Sequence, residues 1–141
     1  MLARLAVWLV LLGSVAGGTE PQPPSVVVIV HPSRSGPVSR EEVRTIYLRQ
    51  RRFWEDGQAI LPVNREYGCE ARKVFETNVF KDLKEPLSRY WNEQYFLGIL
   101  PPATLASDSA VRQYVAARPD AIGYIDARNL DDSVRVVLRF D

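Results

Sequence analysis

Apolar residues follow two different spacings along the chain, and each spacing predicts a different kind of element. The segment 25–30 (SVVVIV) is apolar and β-branched throughout after its serine. A run of this kind, without alternation, is typical of a strand that is covered on both faces, as in a parallel or mixed sheet. Three further apolar segments predict strands: 59–63, 121–126 and 133–140. Pro62 lies inside the first of these three and indicates an edge strand or the end of a strand.

Four other segments carry apolar residues at the three-to-four-residue spacing of a helix. The first begins at Ser39, which with Glu42 forms the sequence signature of a capping box, and continues to about Leu48. The others are 68–80, 86–97 and a helix that begins at 107 or 108. The predicted inward faces of the four helices comprise Val43, Ile46, Tyr47, Val74, Phe75, Val79, Leu87, Tyr90, Trp91, Gln94, Val111, Tyr114 and Val115. Because strands alternate with helices, the sequence predicts an α/β fold with a small central mixed sheet flanked by helices.

The N-terminal segment 1–16 has the features of a secretory signal peptide. Arg4 precedes an apolar run, 5–12, and Ser14 with Ala16 satisfies the small-x-small pattern of signal-peptidase cleavage. The run is short for a permanent membrane anchor, although an uncleaved anchor is the alternative. We therefore expect cleavage near Ala16, a flexible Pro/Gly-rich lead at 17–24, a single domain at 25–141 and a periplasmic location.

Composition and charge exclude several classes of function. The chain of 141 residues has a formal net charge of +1 and an ordinary hydrophobic fraction of 46%, so no strong field draws it toward nucleic acid. The basic and aromatic segment 48–54 (LRQRRFW) holds three arginines, which are too few for a phosphate track. We expect Phe53 and Trp54 to hold this loop against the core. The sequence predicts no nucleic-acid partner and no permanent membrane anchor.

Cys69 and His31 are the only cysteine and the only histidine. One cysteine cannot form an internal disulfide, and a thiol enzyme would need His31, in another loop, to reach Cys69 as its base. One histidine and one cysteine are too few for a tight set of metal ligands, and no Walker or dinucleotide-binding motif is present. The sequence therefore predicts a protein that is not an enzyme, with no catalytic residues, no metal site and no cofactor.

The turn at 65–69 (REYGC) carries the candidate binding site. A helix N-terminus exposes unpaired N–H groups, and a preceding arginine adds a planar fork for phosphate or sulfate. Glu66, Glu70 and Arg72 surround the same turn, so the local charges cancel. Two interpretations stay open at this point: an anion site, or a helix entry that caps itself.

The order of these segments resembles the phosphate-binding component of ABC transporters, which has the periplasmic type II binding-protein fold. The resemblance rests on SREEVRTIYLRQ, FWEDGQAILPVNREYG and YVAARPDAIGYID, which contain the loop-and-tryptophan segment 52–57 and the strand segment 120–124 of that family. It covers nearly the whole chain beyond residue 24 but matches one lobe of a two-lobed fold. The resemblance thus implies a single-lobe member of this fold.

Proteins of that family hold phosphate with an Arg-x-x-Gly-Ser-Gly-Thr turn at the start of a helix in this lobe. Arg65 and Gly68 match the pattern, whereas Cys69 stands at the serine, Glu70 at the second glycine and Ala71 at the threonine. The resemblance implies Arg65, Gly68 and Cys69 as ligand-binding positions, with two hydroxyl donors lost and a carboxylate added. On this basis Glu70→Gly combined with Cys69→Ser is expected to improve phosphate binding.

The sequence leads to one expected function and one alternative. The expected function is that of an exported single-lobe solute-binding-protein-like domain that binds phosphate or another small oxyanion weakly. A second copy of the chain, or another envelope protein, would complete the cleft. The alternative is a periplasmic protein–protein interaction module that has kept the fold and lost the ligand.

Overall fold

The structure is a computed structural model that describes residues 13–14, 17–18 and 24–141. The predicted signal peptide, 1–16, and the predicted flexible lead, 17–24, lie almost entirely outside the described residues, so cleavage near Ala16 stays a prediction. Within the part of the chain that the structure describes, no helix is both long and apolar enough to cross a lipid bilayer.

A five-stranded sheet forms the centre of the domain, and helices pack on both of its faces. The strands are β1 (Val26–Val30), β2 (Leu61–Arg65), β3 (Ala103–Leu105), β4 (Ala121–Asp126) and β5 (Arg135–Phe140), and the helices are α1 (Arg40–Tyr47), α2 (Glu70–Val79), α3 (Leu87–Phe96) and α4 (Asp108–Ala117). The strand order is β3-β2-β4-β1-β5. β2 runs parallel to both of its neighbours, whereas β1 runs antiparallel to both of its own. This architecture confirms the predicted α/β fold with a small mixed sheet.

Strand β1 lies in the middle of the core, as its continuous apolar run predicts. Alternate side chains of a strand point to opposite faces. Accordingly, Val26, Val28 and Val30 pack in the cluster formed with α1 and α2, while Val27 and Ile29 pack with α4. All five side chains are buried, and full burial of one such side chain contributes about 1.5–3 kcal/mol to folding.

The strands β2, which contains Pro62, and β3 are the part of the sheet that the sequence pattern predicts least well. Pro62 is the second residue of β2, which is an interior strand, so the expectation of an edge strand is wrong. Because β2 spans 61–65 instead of the predicted 59–63, Pro62 lies near the beginning of the strand and not near its end. The proline is tolerated because β2 pairs at this level with β4, where Pro62 faces Ile122, and pairing with β3 begins one residue later at Val63. β3 itself has three residues and is too short to show a periodicity.

The predicted helix signals are confirmed at α1 and α3. The N–H of Glu42 donates to Ser39 Oγ at 3.1 Å, and the N–H of Ser39 donates to the Glu42 carboxylate at 2.8 Å, which completes the capping box. α3 begins after Pro86 and is followed by Gly98 with a φ of +77°, the left-handed conformation that ends many helices. Of the predicted inward face of α3 only Tyr90 is buried, because this helix packs at the periphery of the domain.

Trp54 lies against the core, as predicted, whereas Phe53 does not. The Trp54 indole N–H donates to the backbone oxygen of Asp120 at 3.0 Å, and Arg34 stacks over the ring. Phe53 remains 60% exposed. Its backbone pairs with Ala59 in an isolated bridge, and neighbouring side chains of an extended segment point in opposite directions. The prediction for Phe53 is therefore wrong.

The strand directions bring the end of β2 and both ends of the described domain to one edge of the sheet. β2 and β4 end at this edge, and β1 begins there because Val26 faces Asp126. β5 ends there too, since its last residue faces the first residue of β1. The Ser25 hydroxyl donates to the Asp141 carboxylate at 2.8 Å across the two ends. The side of the sheet where β2 and β4 end is termed the Arg65 edge, as distinct from the edge strands β3 and β5.

Candidate functional site

The turn that follows β2 holds the three residues predicted to bind an anion. Arg65 is the last residue of β2. Gly68 has a φ of +86°, a conformation that suits glycine and turns the chain toward α2. Cys69 is the N-cap of α2, and its Sγ accepts from the N–H of Arg72 at 3.4 Å. Gly68 and Cys69 therefore shape the helix entry, and Arg65 supplies the charge beside it.

The Arg65 guanidinium is enclosed by two carboxylates. Its Nε and Nη2 donate to the two oxygens of Glu66 at 3.0 and 2.9 Å, and its Nη1 contacts Asp108 Oδ1. The residue is 9% exposed. Burial acts to lower the pKa of Arg65, but the hydrogen bonds to Glu66 and nearby negative groups raise it above its usual value. The same contact lowers the pKa of Glu66, so Arg65 and Glu66 are both charged at neutral pH.

Asp108 is the partner of Arg65 that sequence reasoning missed. It is the first residue of α4 and is 9% exposed. Its second oxygen, Oδ2, accepts from Asn129 Nδ2 at 2.7 Å and from the backbone N–H of Asp126 at 3.2 Å. The carboxylate is thus fixed where a bound oxyanion could otherwise accept from Arg65 Nη1. The sequence signal for Asp108 is an acidic residue in the first turn of a helix, which local capping explains equally well.

Glu70 is the residue that the resemblance places at a glycine position, and its carboxylate is directed away from Arg65. It accepts from Lys73 Nζ at 3.0 Å, and its side chain is 70% exposed. An ion pair at this exposure contributes little to stability. The carboxylates that contact Arg65 are those of Glu66 and Asp108, so the negative charge at the site comes from the strand end and from α4.

Two further side chains fix the backbone of Arg65. Arg72 Nη1 donates to the backbone oxygen of Arg65 at 2.8 Å, while Arg72 Nε pairs with Glu76 at 2.7 Å. The Tyr124 hydroxyl accepts from the N–H of Arg65 at 3.2 Å and donates to Asn64 Oδ1. Burial raises the pKa of Tyr124, so the phenol stays protonated. The strand end that carries Arg65 is therefore held at both its N–H and its carbonyl.

A shallow depression of about 440 Å³ opens beside Arg65. Its lining is polar and includes Ser107, Ser109, Arg112 and Asn129. Arg112 is itself paired with Asp131 at 3.0 Å and donates to the backbone oxygen of Asn129. The depression offers hydroxyl groups, but both of its arginines already have carboxylate partners.

Cys69 and His31 lie at opposite ends of the strands of the sheet. His31 follows β1, and the end of β1 faces the start of β4 because Val30 pairs with Ile122. Cys69 lies beyond the end of β2, at the Arg65 edge. The His31 ring contacts the Ser33 hydroxyl at 2.7 Å. The fold therefore separates the thiol from the imidazole, and among the described residues no group of three or more His, Cys, Asp or Glu side chains could hold a metal ion.

Solved structures of phosphate-binding proteins share this architecture. An ABC-type phosphate transport receptor from Vibrio cholerae matches with a TM-score of 0.63 and 20% identity, over 81% of this chain and 45% of its own. A protein from Clostridium perfringens, described as a phosphate ABC transporter substrate-binding protein with bound phosphate, matches with a TM-score of 0.65 and 20% identity, over 83% and 46%. PstS from Borrelia burgdorferi gives 0.64 and 13% identity, over 81% and 46%. The domain has the fold of one lobe of these proteins.

The similarity establishes the fold and leaves the ligand open. The chain spans less than half the length of the structures it matches. No protein-family model and no curated protein matches the sequence. The single-lobe fold predicted from the resemblance is thus confirmed. Ligand binding at Arg65, Gly68 and Cys69 stays a prediction.

Proposed function

We propose that this protein is an exported, periplasmic solute-binding-protein-like domain that docks to another envelope protein, with a structural ion-pair cluster at its Arg65 turn. The observation that carries the proposal is the enclosure of Arg65 by Glu66 and Asp108. The solved structures with this fold, which are transporter binding proteins, support the relation to solute binding. The signal-peptide features of segment 1–16 support export.

An oxyanion at Arg65 would have to replace a carboxylate that the chain itself supplies. Asp108 accepts from Asn129 and from the Asp126 N–H as well as pairing with Arg65. Displacing it would leave those donors without their acceptor, and each such loss costs about 1–3 kcal/mol. The near-neutral chain adds no field that would draw a phosphate ion inward. We therefore expect a phosphate Kd of about 1 mM or weaker.

A second candidate function is weak binding of phosphate or another small oxyanion in the depression beside Arg65. The hydroxyls of Ser107 and Ser109 favour it, because they line the depression together with Arg112. In that case a second copy of the chain, or another envelope protein, would complete the cleft at the Arg65 edge, where both ends of the domain also lie.

Both candidates are binding functions without a catalytic step. Cys69 and His31 lie at opposite ends of the strands, so neither side chain activates the other. Reversible docking or oxyanion binding requires no cofactor and no metal. Nucleic acid is not a proposed partner, because the chain has a formal net charge of only +1.

Calorimetric titration with phosphate and with sulfate at low salt separates the two candidates. The docking proposal expects no saturable heat at ligand concentrations below about 1 mM. The oxyanion candidate expects binding that both Arg65→Ala and Arg112→Ala weaken. Submillimolar binding of phosphate by the unaltered protein would overturn the docking proposal.

Docking and export are tested on material from cells. Pull-down from envelope extract, run with and without phosphate, is expected to retain the same partner in both conditions. Retention of no partner, or of one that requires phosphate, would contradict docking. The mass of the protein recovered from the periplasm should correspond to a chain cut near Ala16, and recovery of the uncut chain from the membrane fraction would contradict export.

A further inference from the structure

A groove of about 400 Å³ lies at the start of β3, and Arg65 does not contribute to its lining. The segment 98–103, which joins α3 to β3, forms one part of the lining, and residues 61–63 of β2 form another. The adjoining end of α3 is apolar and exposed: Tyr95, Phe96, Leu97 and Leu100 are 67%, 86%, 71% and 63% exposed. Leu100 belongs to both features, which together are termed the α3 groove. A concentration of exposed apolar side chains of this kind marks an interaction site.

The α3 groove carries positive charge that the chain does not compensate. Arg49 and Arg52 line it, and its lining contains no acidic side chain. Neither arginine forms an ion pair with another described residue, whereas Arg51 between them pairs with Glu42 at 3.0 Å. Arg52 Nε donates to the backbone oxygen of Arg49 at 3.2 Å, which holds the Arg52 side chain beside Arg49. Two unpaired cations beside an apolar surface are complementary to a partner that is both apolar and acidic.

Arg49 lines the groove although its backbone adopts a conformation that is unfavourable for a residue with a side chain. Its φ is +61°, and of the described residues it is the one non-glycine residue with a positive φ. It follows Leu48, the C-cap of α1, and the residue in this place is usually a glycine because glycine adopts the left-handed conformation without strain. A strained arginine at a position that favours glycine points to a role for the side chain.

The outer edge of the sheet is open at β3, the strand whose first residue lines the groove. β3 is the last strand on this side, and within the described residues no strand pairs with its outer edge. Ala103 and Thr104 of β3 are exposed. An unpaired edge of this kind accepts an additional strand from another chain, and the backbone hydrogen bonds then provide affinity while side-chain pockets provide specificity.

We propose that the α3 groove binds an extended segment of a partner protein in which apolar residues alternate with Asp or Glu. The segment adds to the outer edge of β3, places apolar side chains against Leu100 and the end of α3, and directs its carboxylates to Arg49 and Arg52. This assignment rests on the docking function proposed above and specifies both its surface and the chemistry of its partner.

Selection of random dodecapeptides displayed on phage against the immobilised protein tests this specificity. Peptides in which apolar and acidic residues alternate are expected to be enriched, and a synthetic copy of an enriched peptide should bind in solution. Enrichment of basic peptides, or no enrichment over an empty support, would overturn the proposal. Co-sedimentation with vesicles that contain phosphatidylglycerol would overturn the proposal in favour of a membrane surface as the partner. A dimer in sedimentation equilibrium that Leu100→Ser dissociates would overturn it in favour of a second copy of the chain.

Variants of Arg49 and Arg52 test whether the selected peptide binds in the groove. Arg49→Gly should weaken its binding about tenfold or more, the effect of losing a charged hydrogen bond, and should raise the melting temperature because the strain at φ +61° is relieved. A raised melting temperature would show that the variant is folded, so misfolding would not explain its weaker binding. Arg52→Ala should weaken binding as well. Arg89 is an exposed arginine of α3 outside the groove lining, so Arg89→Ala is the matched control and should leave binding unchanged. Equal binding by all three variants would overturn the proposal.

Photo-crosslinking in cells distinguishes failure of this assignment from failure of the docking function. A photoreactive residue is placed at Leu100 in the groove and, separately, at Tyr67, which is 88% exposed at the Arg65 edge. A crosslinked adduct from Leu100 that Arg49→Gly removes is the expected result. Adducts from Tyr67 alone would leave docking in place and refute the groove. Adducts from neither position would refute both.

Discussion

The carboxylate of Asp108 contacts the guanidinium of Arg65, joining the first turn of α4 to the end of β2. The resemblance to phosphate-binding proteins implies an external anion at this arginine, whereas the fold supplies an internal one. Asp108 is fixed by Asn129 at 2.7 Å, and Arg65 is held from the other side by Glu66. We therefore expect the state of this pair to decide whether the Arg65 turn receives a ligand.

Asp108→Asn is expected to create phosphate affinity that the unaltered protein lacks. The amide keeps an oxygen for Asn129 and for the Asp126 N–H but removes the negative charge from Arg65, so the like-charge opposition to an incoming anion falls. We expect phosphate to bind at least about tenfold more tightly, the scale of one charge-assisted hydrogen bond. Calorimetry checks this, and the gain should vanish in the double variant with Arg65→Ala. Unchanged affinity in Asp108→Asn would show that this pair does not block the site.

Glu70→Gly with Cys69→Ser is expected to give little gain in phosphate affinity, contrary to the expectation from sequence alone. Glu70 is directed to Lys73 in solvent, where its charge is screened. Cys69→Ser replaces a sulfur N-cap, at 3.4 Å from the Arg72 N–H, by the preferred hydroxyl. Cys69→Ser by itself should therefore gain about 0.5–1 kcal/mol of stability in urea unfolding, whereas Glu70→Gly removes the acidic residue of the first turn of α2 and should offset that gain in the double variant. A large gain in affinity by this variant alone would restore Glu70 as the opposing charge.

The sequence predicts local features of this domain well and long-range contacts poorly. The capping box at Ser39 and the buried run of β1 depend on neighbouring residues, so pattern alone reveals them. The contact between Arg65 and Asp108 depends on how β2 and α4 are placed by the sheet, and no spacing encodes it. The sequence predicts that Phe53 holds its loop against the core together with Trp54, but the side chain is exposed, and the backbone of Phe53 pairs with Ala59.

Gly123→Ala is expected to destabilise the domain by about 1–3 kcal/mol, the usual cost of overpacking. A Cβ at Gly123 would lie 2.6 Å from Val111 Cγ1 and 3.1 Å from Val63 Cγ2. Both valines are buried and branched at Cβ, so they cannot move aside by a simple rotation. Urea unfolding checks the loss. Val111→Ala in the same chain should recover part of it, and a Gly123→Ala variant as stable as the unaltered protein would contradict this account of how α4 packs on β4.

Acid should weaken the domain through the ion pairs at the Arg65 edge. Hydrogen bonds from Arg65 lower the pKa of Glu66, and those from Arg128 lower the pKa of Asp126. A carboxylate whose pKa is lower in the folded state contributes stability above its unfolded pKa, about 4, and loses that contribution as the pH falls through the folded pKa. We therefore expect a level urea midpoint from about pH 6 to 8 and a decline below about pH 4.5.

Glu66→Gln isolates the part of this decline that belongs to the Arg65 cluster. The neutral amide cannot be protonated in this range, so the fall in urea midpoint between neutral and acid pH should be smaller than in the unaltered protein. Glu93→Gln, which alters an exposed carboxylate of α3, is the control and should leave the pH dependence unchanged. If Glu66→Gln and Glu93→Gln give the same acid dependence, then the hydrogen bonds between Arg65 and Glu66 at 2.9 and 3.0 Å do not stabilise the folded domain.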